Sequence, residues 1–399
     1  MSTPRHPWSD YEAALLALEE ERSKSDAPSL VLKLRKRFPL AEPSELHLAV
    51  ETFVARRQAP EKLGAWADKG HFSLSILQQA SRESIATFRA ARFQGRNHIL
   101  EIGTGTGSDT AALARVARHV TTIEGDAERA ELARRNLALL GVSNVTVLVG
   151  EAQALIPTLT TPFDALFADP ARRKRSGERV SDGEEYSPSL SYLLGLSLGD
   201  LRAIKVSPGL FVEPPPEGWA REFVGHGDEC LDQTLWFGSS VTDSSVAVPD
   251  RGATWSPAPG AASAPIAQGI EDFLVEAHPT LNRSQKLPLF FAELGIKLIS
   301  DGIAYGTSPT PPAQSPLIES FRVLESLPYS LKALKPLLSS RGWTNRTELK
   351  KRGFTGELEE IRKALTLPKH THGAPFGVVF FFRYHGKPWA VVAERLYGR

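Results

Sequence analysis

The feature that most constrains the fold is an alternation of strand and helix patterns from His98 to Asp169. Short runs of β-branched and apolar residues alternate with helical patterns there, which is typical of a parallel sheet with helices on both faces. The runs are HILEIG, DTAALARVARH, VTTIEG, ERAELARRNLALLG, VTVLVG and FDALFAD. Two further strands, AIKVSPG and QTLWFGS, complete an open α/β sheet by about residue 250.

Other patterns flank this sheet. A helical region precedes it, with apolar residues at three- and four-residue spacing in DYEAALLALEEERSK and PSELHLAVETFVARRQ. A segment rich in Pro, Ala, Gly and Ser follows it and is interpreted as a linker. The predicted division is a helical domain 1–93, the α/β domain 94–250, a linker 251–268, a small α+β unit 269–318 and a last domain 319–399.

The two C-terminal parts mix helices and strands. In the small unit, IEDFLVEA and SQKLPLFFAELG are predicted as helices and IAYGTS as a strand. In the last domain, SLKALKPLLSSRG and TGELEEIRKALTL are predicted helices. GVVFFFRY and PWAVVAERL, joined by a His-Gly-Lys turn, predict a β-hairpin.

Charge is divided unevenly along the chain. The net charge is +1, but Phe321–Arg399 contains fifteen Lys and Arg against six Asp and Glu, giving +9, so the other residues sum to −8. Such a basic region favours a polyanionic partner, and a solvated surface is the alternative. The single cysteine, Cys230, excludes an intramolecular disulfide and favours a reducing, cytoplasmic location. No membrane segment, secretion signal or metal site is expected, and His370 and His372 are interpreted as loop residues.

A glycine-rich turn joins the first strand of the sheet to its helix. Gly103, Gly105 and Gly107 give the spacing GxGxG, whereas dinucleotide-binding loops have GxGxxG. Glycines there allow a tight turn and a close approach of backbone to a ligand. The spacing therefore disfavours a nicotinamide cofactor.

Carboxylates follow three consecutive strands, at the edge where open α/β sheets bind ligands. Glu101 is placed to meet an ammonium group, Glu124 to accept hydrogen bonds from two ribose hydroxyls, and Glu151 to accept one from an adenine amino group. The three together predict a ligand that carries an amine, a ribose and an adenine, which is S-adenosylmethionine.

With these residues the sequence resembles class I methyltransferases: EIGTGTG, IEG, VGEA and ADPARR occupy that superfamily's motif positions in order. The resemblance implies a Rossmann-like methyltransferase sheet. It also implies a set of cofactor-binding residues: Glu101, Gly103, Thr104, Gly105, Gly107, Glu124, Glu151, Ala152 and Asp169.

The ADPARR motif is the predicted catalytic segment. Related enzymes that methylate nucleobase amines carry D/N-P-P followed by an aromatic residue, whereas here Ala171 and Arg172 stand in place of the second proline and the aromatic. Asp169, Pro170 and Arg172 are the catalytic candidates. Arg172 and Arg173, with the basic residues that follow, are expected to meet an anionic group of the substrate, a solvated loop being the alternative. Cys230 is expected to be structural, because its acidic neighbours would raise the pKa of its thiol.

The chain further resembles a bacterial group of class I methyltransferases that carry a ferredoxin-like unit and a C-terminal THUMP-like domain. The matching stretches include LQQASRESIATFRAARF, GSDTAALA, DPARR, EYSPSLSYL, IKVSPGL and GDECLDQTLWFG. This resemblance implies that Gln79 and Asp109 belong to the cofactor site and that Tyr186 and Lys205 lie on the substrate side. THUMP domains bind structured RNA, so ELKKRGF and FFFRYHGKPW are candidate RNA contacts. The alternatives are a charged helix end and a buried strand.

Together these features predict a cytoplasmic S-adenosylmethionine-dependent methyltransferase that modifies a nucleotide in RNA, either tRNA or rRNA. Two alternatives stay open: a methyltransferase for a protein or a small anionic metabolite, and a non-catalytic RNA-binding protein with a vestigial cofactor site. Oligomeric state is not predicted.

Overall fold

A computed structural model of the chain describes residues 8–21, 26–172, 180, 182–210 and 215–396. Its contacts divide the chain into two compact units. Unit 1 comprises Met1–Trp219 and Gln233–Ser240, and unit 2 comprises Ala220–Asp232 and Val241–Arg399.

Unit 1 begins with helices. Two begin at a side chain that caps a free backbone amide: Asp26 accepts a hydrogen bond from the amide of Ser29, and Ser73 accepts one from Ile76. Their apolar faces bury Tyr11, Leu30 and Leu46 in one core. The helices are α1 (Ser9–Glu21), α2 (Ala27–Arg37), α3 (Pro43–Arg56), α4 (Pro60–Leu63), α5 (Leu74–Gln79) and α6 (Glu83–Ala90).

The predicted open sheet follows in unit 1. Its strands are β1 (His98–Ile102), β2 (His119–Glu124), β3 (Val145–Val149), β4 (Ala165–Ala168), β5 (Leu201–Val206) and, beyond β6 (Trp219–His226), the end of β7 (Glu229–Phe237). Their order is β3-β2-β1-β4-β5-β7. The first five are parallel, and β7 is antiparallel to β5. The crossover helices are α7 (Ser108–Val116), α8 (Ala127–Leu139), α9 (Ala152–Leu155) and α10 (Leu190–Gly195).

The central strands β1, β2, β4 and β5 are buried on both faces, as parallel strands under helices are. On one face Phe93 packs edge-on against Phe167 and also contacts Trp236. On the other face Leu166, Ile204 and Leu235 belong to a core that also contains residues of α10. The alternation along β4 and β5 therefore decides which side chains reach each face at the carboxyl end.

Unit 2 contains two groups of strands. In the first, β6 pairs with β8 (Ser245–Val248), which pairs with β9 (Ala253–Trp255). The second is a sheet of order β11-β12-β10-β13-β16-β15-β14. Its strands are β10 (Phe273–Ala277), β11 (Lys297–Leu298), β12 (Tyr305–Ser308), β13 (Ile318–Pro328), β14 (Glu348–Arg352), β15 (Val378–Tyr384) and β16 (Lys387–Arg395). The helices are α11 (Pro279–Arg283), α12 (Leu287–Glu293), α13 (Leu331–Ser340) and α14 (Leu358–Leu365).

The structure corrects one element prediction in unit 2 and refines two others. IEDFLVEA is predicted as a helix, but Phe273–Ala277 within it is β10, a central strand between β12 and β13. A short apolar run fits either element, and pairing on both edges decides for the strand. The predicted linker 251–268 contains β9. The predicted boundary at 318/319 divides a single sheet, because β10 pairs with β13.

Most residues of the two candidate RNA-contacting stretches of the last domain make contacts within the protein. The predicted hairpin is β15 and β16, and Phe380, Phe381 and Phe382 are fully buried, so the buried-strand alternative holds for these rings. ELKKRGF is not an exposed run: it forms β14, in which Lys350 pairs with Glu276 and Glu319. Much of the local positive charge is therefore neutralised inside the domain.

Two features are absent from the described residues. No helix there combines the length and apolar character needed to cross a membrane. Nor do three or more His, Cys, Asp or Glu side chains in that part of the chain form a group that could hold a metal ion.

Candidate active site

The candidate site lies at the carboxyl ends of β1, β2, β4 and β5. Ile102, Ala168 and Ile204 are paired across three adjacent strands, so the next residues, Gly103, Asp169 and Lys205, come to one row beyond them. This is the edge at which open α/β sheets bind ligands.

The glycine turn that follows β1 brings the backbone close to β4. All three glycines adopt positive φ, with Gly103 at +92°. A side chain at Gly103 would overlap the carbonyl oxygen of Asp169, whereas one at Gly105 would meet open space. Thr104 is buried and its hydroxyl lies 2.7 Å from that of Thr122. The turn thus leaves room for a ligand beside Gly105 and none beside Gly103.

Glu101 is fully buried on β1. Thr110 donates a hydrogen bond of 2.5 Å to its Oε2, while Oε1 has no hydrogen-bond partner. Burial raises the pKa of Glu101 to about 8. A buried carboxylate oxygen without a donor is complementary to an ammonium group of a ligand.

Glu124 and Glu151 follow the next two strands. Glu124 is buried, and its carboxylate accepts the amides of Gly105 at 3.0 Å and Asp126 at 3.2 Å. These bonds fix the carboxylate beside the glycine turn. Glu151 is exposed, close to Gly125, and Ala152 begins α9 as a buried residue.

A chain of polar contacts links Asp169 to the first turn of α7. Lys205 is buried and its Nζ lies 2.8 Å from Asp169 Oδ2 and 2.9 Å from Ser81 Oγ. Ser81 donates to Asp109 at 2.5 Å, and the other oxygen of Asp109 accepts from Arg89 at 2.5 Å. Both oxygens of Asp109 accept hydrogen bonds from protein partners, so Asp109 anchors this network to α7.

Asp169 is positioned as an ionised hydrogen-bond acceptor. Burial favours its neutral form, but Lys205 and then Arg172 outweigh burial and hold the pKa of Asp169 below its ordinary value. Its Oδ1 has no hydrogen-bond partner among the described residues. Pro170, which follows, is buried.

The remaining candidates lie at different depths. Arg172 is half-buried, and Arg173 falls outside the described residues together with the rest of the basic run. Tyr186 is buried in the core that contains Ile204 and Val206, and its hydroxyl accepts the amide of Ser207 at 3.2 Å. Those two strand residues face away from Lys205, so Tyr186 is on the opposite face of the sheet.

Gln79 and Cys230 complete the set. Gln79 is exposed at the end of α5 and donates back to the carbonyl of Ser75. Burial raises the pKa of Cys230 to about 12, which disfavours a thiolate nucleophile.

Sequence reasoning did not single out Ser81, Arg89 or Thr110. Ser81 joins Lys205 to Asp109, Arg89 is buried with its guanidinium over the ring of Phe167, and Thr110 donates to Glu101. Ser81 and Arg89 come from the helical segment before the sheet, within LQQASRESIATFRAARF, where no chemical motif marks them.

The chemistry of this edge fits S-adenosylmethionine. The free Oε1 of Glu101 suits the ammonium group, the open space at Gly105 admits the ligand, and Glu124 offers acceptors for ribose hydroxyls.

Comparison with known proteins matches two segments of the chain to family models. A methyltransferase-domain family model matches residues 99–172, and a THUMP domain-like model matches residues 318–395. A Mycobacterium tuberculosis protein, named as an uncharacterized S-adenosylmethionine-dependent methyltransferase, is 27% identical over 80% of this chain and 88% of its own length. A protein-L-isoaspartate O-methyltransferase of Koribacter versatilis is 35% identical, over 29% of this chain and 51% of its own.

The fold of nearly the whole chain is similar to that of a solved structure. A protein from Porphyromonas gingivalis W83 superposes with a TM-score of 0.74, covering 98% of each chain at 17% identity. The comparisons confirm the predicted fold class and the predicted cofactor, S-adenosylmethionine. The chain is thus a class I S-adenosylmethionine-dependent methyltransferase with a THUMP-like domain at its C-terminus.

Proposed function

We propose that the protein methylates a nucleotide in RNA, either tRNA or rRNA. The observation that carries this proposal is the presence of a THUMP-like domain, residues 318–395, in the same chain as the methyltransferase domain. THUMP domains, which it resembles, bind structured RNA. The excess of positive charge in Phe321–Arg399 agrees with a phosphate-rich partner.

In the proposed reaction Asp169 positions the acceptor. S-adenosylmethionine supplies an electrophilic methyl group on a sulfonium. Asp169 Oδ1, which has no hydrogen-bond partner among the described residues, accepts a hydrogen bond from the N–H or O–H of the acceptor, which directs the nucleophilic lone pair. Methyl transfer is an in-line displacement, so this alignment supplies much of the acceleration.

Lys205 keeps Asp169 in its accepting state. A protonated carboxylic acid could donate through one oxygen, but the ammonium 2.8 Å away favours the ionised form. Ser81 in turn fixes Lys205 against α7 through Asp109. Both are positioning residues in this proposal.

A protein acceptor is the second candidate. Relatives named protein-L-isoaspartate O-methyltransferase support it, at 35% identity for that of Koribacter versatilis. This match covers only 29% of the chain and leaves out the THUMP-like domain, so we favour RNA.

The test is transfer of labelled methyl groups from S-adenosylmethionine to total RNA from a strain that lacks the protein. We expect incorporation that disappears after ribonuclease treatment and falls at least about a hundredfold in Asp169→Asn, which keeps the shape but loses the charge. Asp200→Asn is the matched control, since Asp200 is exposed and precedes β5 at the opposite end of that strand.

Each outcome has a distinct meaning. No incorporation into RNA, together with protease-sensitive incorporation into a protein extract of the same strain, would replace RNA with a protein acceptor. Incorporation into RNA that is equal in Asp169→Asn and in the wild type would remove Asp169 from the acceptor site.

A further inference from the structure

Unit 2 contains a cavity that the methyltransferase site does not use. It has a volume of about 600 Å³ and lies where the start of β14 meets the start of β15. Small-molecule sites are typically roughly 300–1,000 Å³. Its lining includes Arg346, Thr347, Arg362 and Phe376, all within the THUMP-like domain.

An exposed aromatic ring stands at the cavity. Phe376 is 51% exposed, and no other Phe, Tyr or Trp in the described part of the chain reaches that degree of exposure. The guanidinium of Arg346 lies 5.9 Å from its ring centre, and the ring of His370 meets it edge-on at 5.7 Å. An exposed ring flanked by a guanidinium is a stacking platform for a nucleobase.

Two guanidinium groups of the cavity are available for an anion. Arg346 and Arg362 form no ion pair with any carboxylate of the described residues, unlike Lys350 and Arg395 nearby. Arg362 donates to the carbonyls of Asn345 and Thr347 through Nη1, which fixes it in place. A guanidinium group recognises phosphate in a bidentate geometry.

A buried hydroxyl is also left without a partner. Thr347 is fully buried and lines the cavity, and its Oγ1 makes no hydrogen bond. Such a group is normally satisfied by a ligand or by water.

The surrounding backbone holds the cavity open. Gly377 has no room for a side chain, because a Cβ there would overlap the ring of Trp343. The carbonyl of Gly377 accepts the amide of Glu348 at 2.9 Å, and the side chain of Asn345 accepts the amide of His370 at 2.9 Å. Phe376 is therefore presented by two anchored segments.

We propose that this cavity binds an unpaired nucleotide of the RNA substrate, with the base stacked on Phe376 and a phosphate on Arg346 and Arg362. The inference rests on the proposed function for the identity of the partner. A duplex cannot offer a separated base to the ring, so the site selects a single-stranded end, loop or bulge.

The test uses the full chain and a fluorescent single-stranded oligoribonucleotide, with a blunt duplex of the same sequence for comparison. We expect Phe376→Ala to weaken single-strand binding about tenfold or more, and Phe376→Trp to retain it. Arg346→Ala should lower the slope of log affinity against log salt by about 0.7. Arg383→Ala, an exposed arginine of β15 away from the cavity, should affect affinity less.

Three results would overturn the proposal. They are equal losses in Arg346→Ala and Arg383→Ala, unchanged affinity in Phe376→Ala, and competition by adenosine monophosphate at concentrations as low as those of the oligonucleotide. The last would indicate a site for free nucleotides.

The methyl-transfer assay separates this proposal from the proposed function. RNA methylation by the wild type without any effect of Phe376→Ala on binding would exclude the cavity as a binding site and support RNA as the substrate. Binding that depends on Phe376 and Arg346 without any RNA methylation would support the cavity as a binding site and exclude RNA as the methylated substrate.

Discussion

At the scale of single residues, the burial of Glu101 determines the pH at which its carboxyl group loses a proton. Its carboxylate is fully buried, accepts from Thr110 and leaves Oε1 without a donor. In the folded chain its pKa is raised to about 8 from an ordinary value of 4.5. The folded state therefore holds a proton that the unfolded state releases between these two values, and stability must fall as pH rises through that window.

Glu101→Gln should remove this dependence. We expect the free energy of unfolding of the wild type, measured relative to the variant, to decline by up to about 1.4 kcal/mol per pH unit between about pH 5 and pH 8. Denaturant unfolding of both proteins across that range, without cofactor, measures the difference. Parallel stability curves would show that Glu101 is ionised in the folded protein at neutral pH.

Glu124 tests the cofactor assignment directly. Glu124→Ala should weaken S-adenosylmethionine binding by about tenfold or more, because hydrogen bonds to a charged acceptor contribute roughly 1.5–3 kcal/mol each. Calorimetric titration measures the loss. Glu128→Ala is the matched control, as Glu128 is an exposed carboxylate in the first turn of α8. Equal affinities of Glu124→Ala and the control would place the ribose elsewhere.

The convergence of Glu101, Glu124 and Asp169 on one edge of the sheet was predictable from the sequence, whereas the contacts of Ser81 and Arg89 were not. The first three end strands of a parallel sheet, and the topology alone brings strand ends to one edge. Ser81 and Arg89 reach the site because the start and interior of the α6 region pack on a face of that sheet. Which helical residue meets which strand depends on packing that periodicity does not specify.

At the scale of elements, the glycine turn after β1 separates two reasons for needing glycine. Gly103 and Gly105 both adopt positive φ, but only Gly103 also faces the carbonyl oxygen of Asp169. Gly105→Ala should cost roughly 1–2 kcal/mol of stability, the ordinary penalty of a left-handed residue. Gly103→Ala should cost clearly more, because the turn must also move away from β4.

The two alanine variants form a matched pair in thermal or denaturant unfolding. Gly105→Ala should also lose cofactor affinity, since its methyl group would project into the open space of the turn. Equal destabilisation by both variants would mean that the turn relaxes without strain at Asp169.

Element types were predictable where a pattern persisted, and the strand β10 shows where prediction failed. The five parallel strands each carry a short apolar run bounded by a turn or a helix, which the sequence makes plain. Phe273–Ala277 has a similar run. Its fourth residue is a glutamate and its neighbours favour a helix, so the pattern resembles one face of an amphipathic helix. Its pairing with β13 involves residues that come more than forty positions later, and local patterns carry no record of that contact.

At the scale of the whole molecule, net charge did not predict which cations are available to a partner. The sum of +9 over Phe321–Arg399 includes Lys350, Lys351, Arg352 and Arg395, all of which pair with glutamates. Two of these glutamates, Glu276 and Glu319, lie outside the counted segment. The sequence alone shows where the charged residues lie along the chain. Only the folded sheet shows how many of the cations already form ion pairs within the protein.

The same sheet decides where the chain can be shortened. A cut before Phe321 removes most of β13 and all of β14, β15 and β16, but keeps β10 and β12. Leu274 and Tyr305 would then lose their core partners Phe321 and Phe380. A cut after Ser240 instead ends the chain where the last segment of unit 1 ends.

We therefore expect opposite behaviour from the two truncations. The chain 1–240 should bind S-adenosylmethionine, because every residue of the candidate site lies in unit 1, and it should lose salt-sensitive RNA association. The chain 1–320 should aggregate or bind a hydrophobic dye, because it exposes half of a core. Size-exclusion chromatography, calorimetry and RNA gel shifts of both truncations measure this. A soluble, dye-silent 1–320 would show that β10 and β12 fold without β13, and RNA binding by 1–240 equal to that of the full chain would move the RNA contacts to the methyltransferase unit.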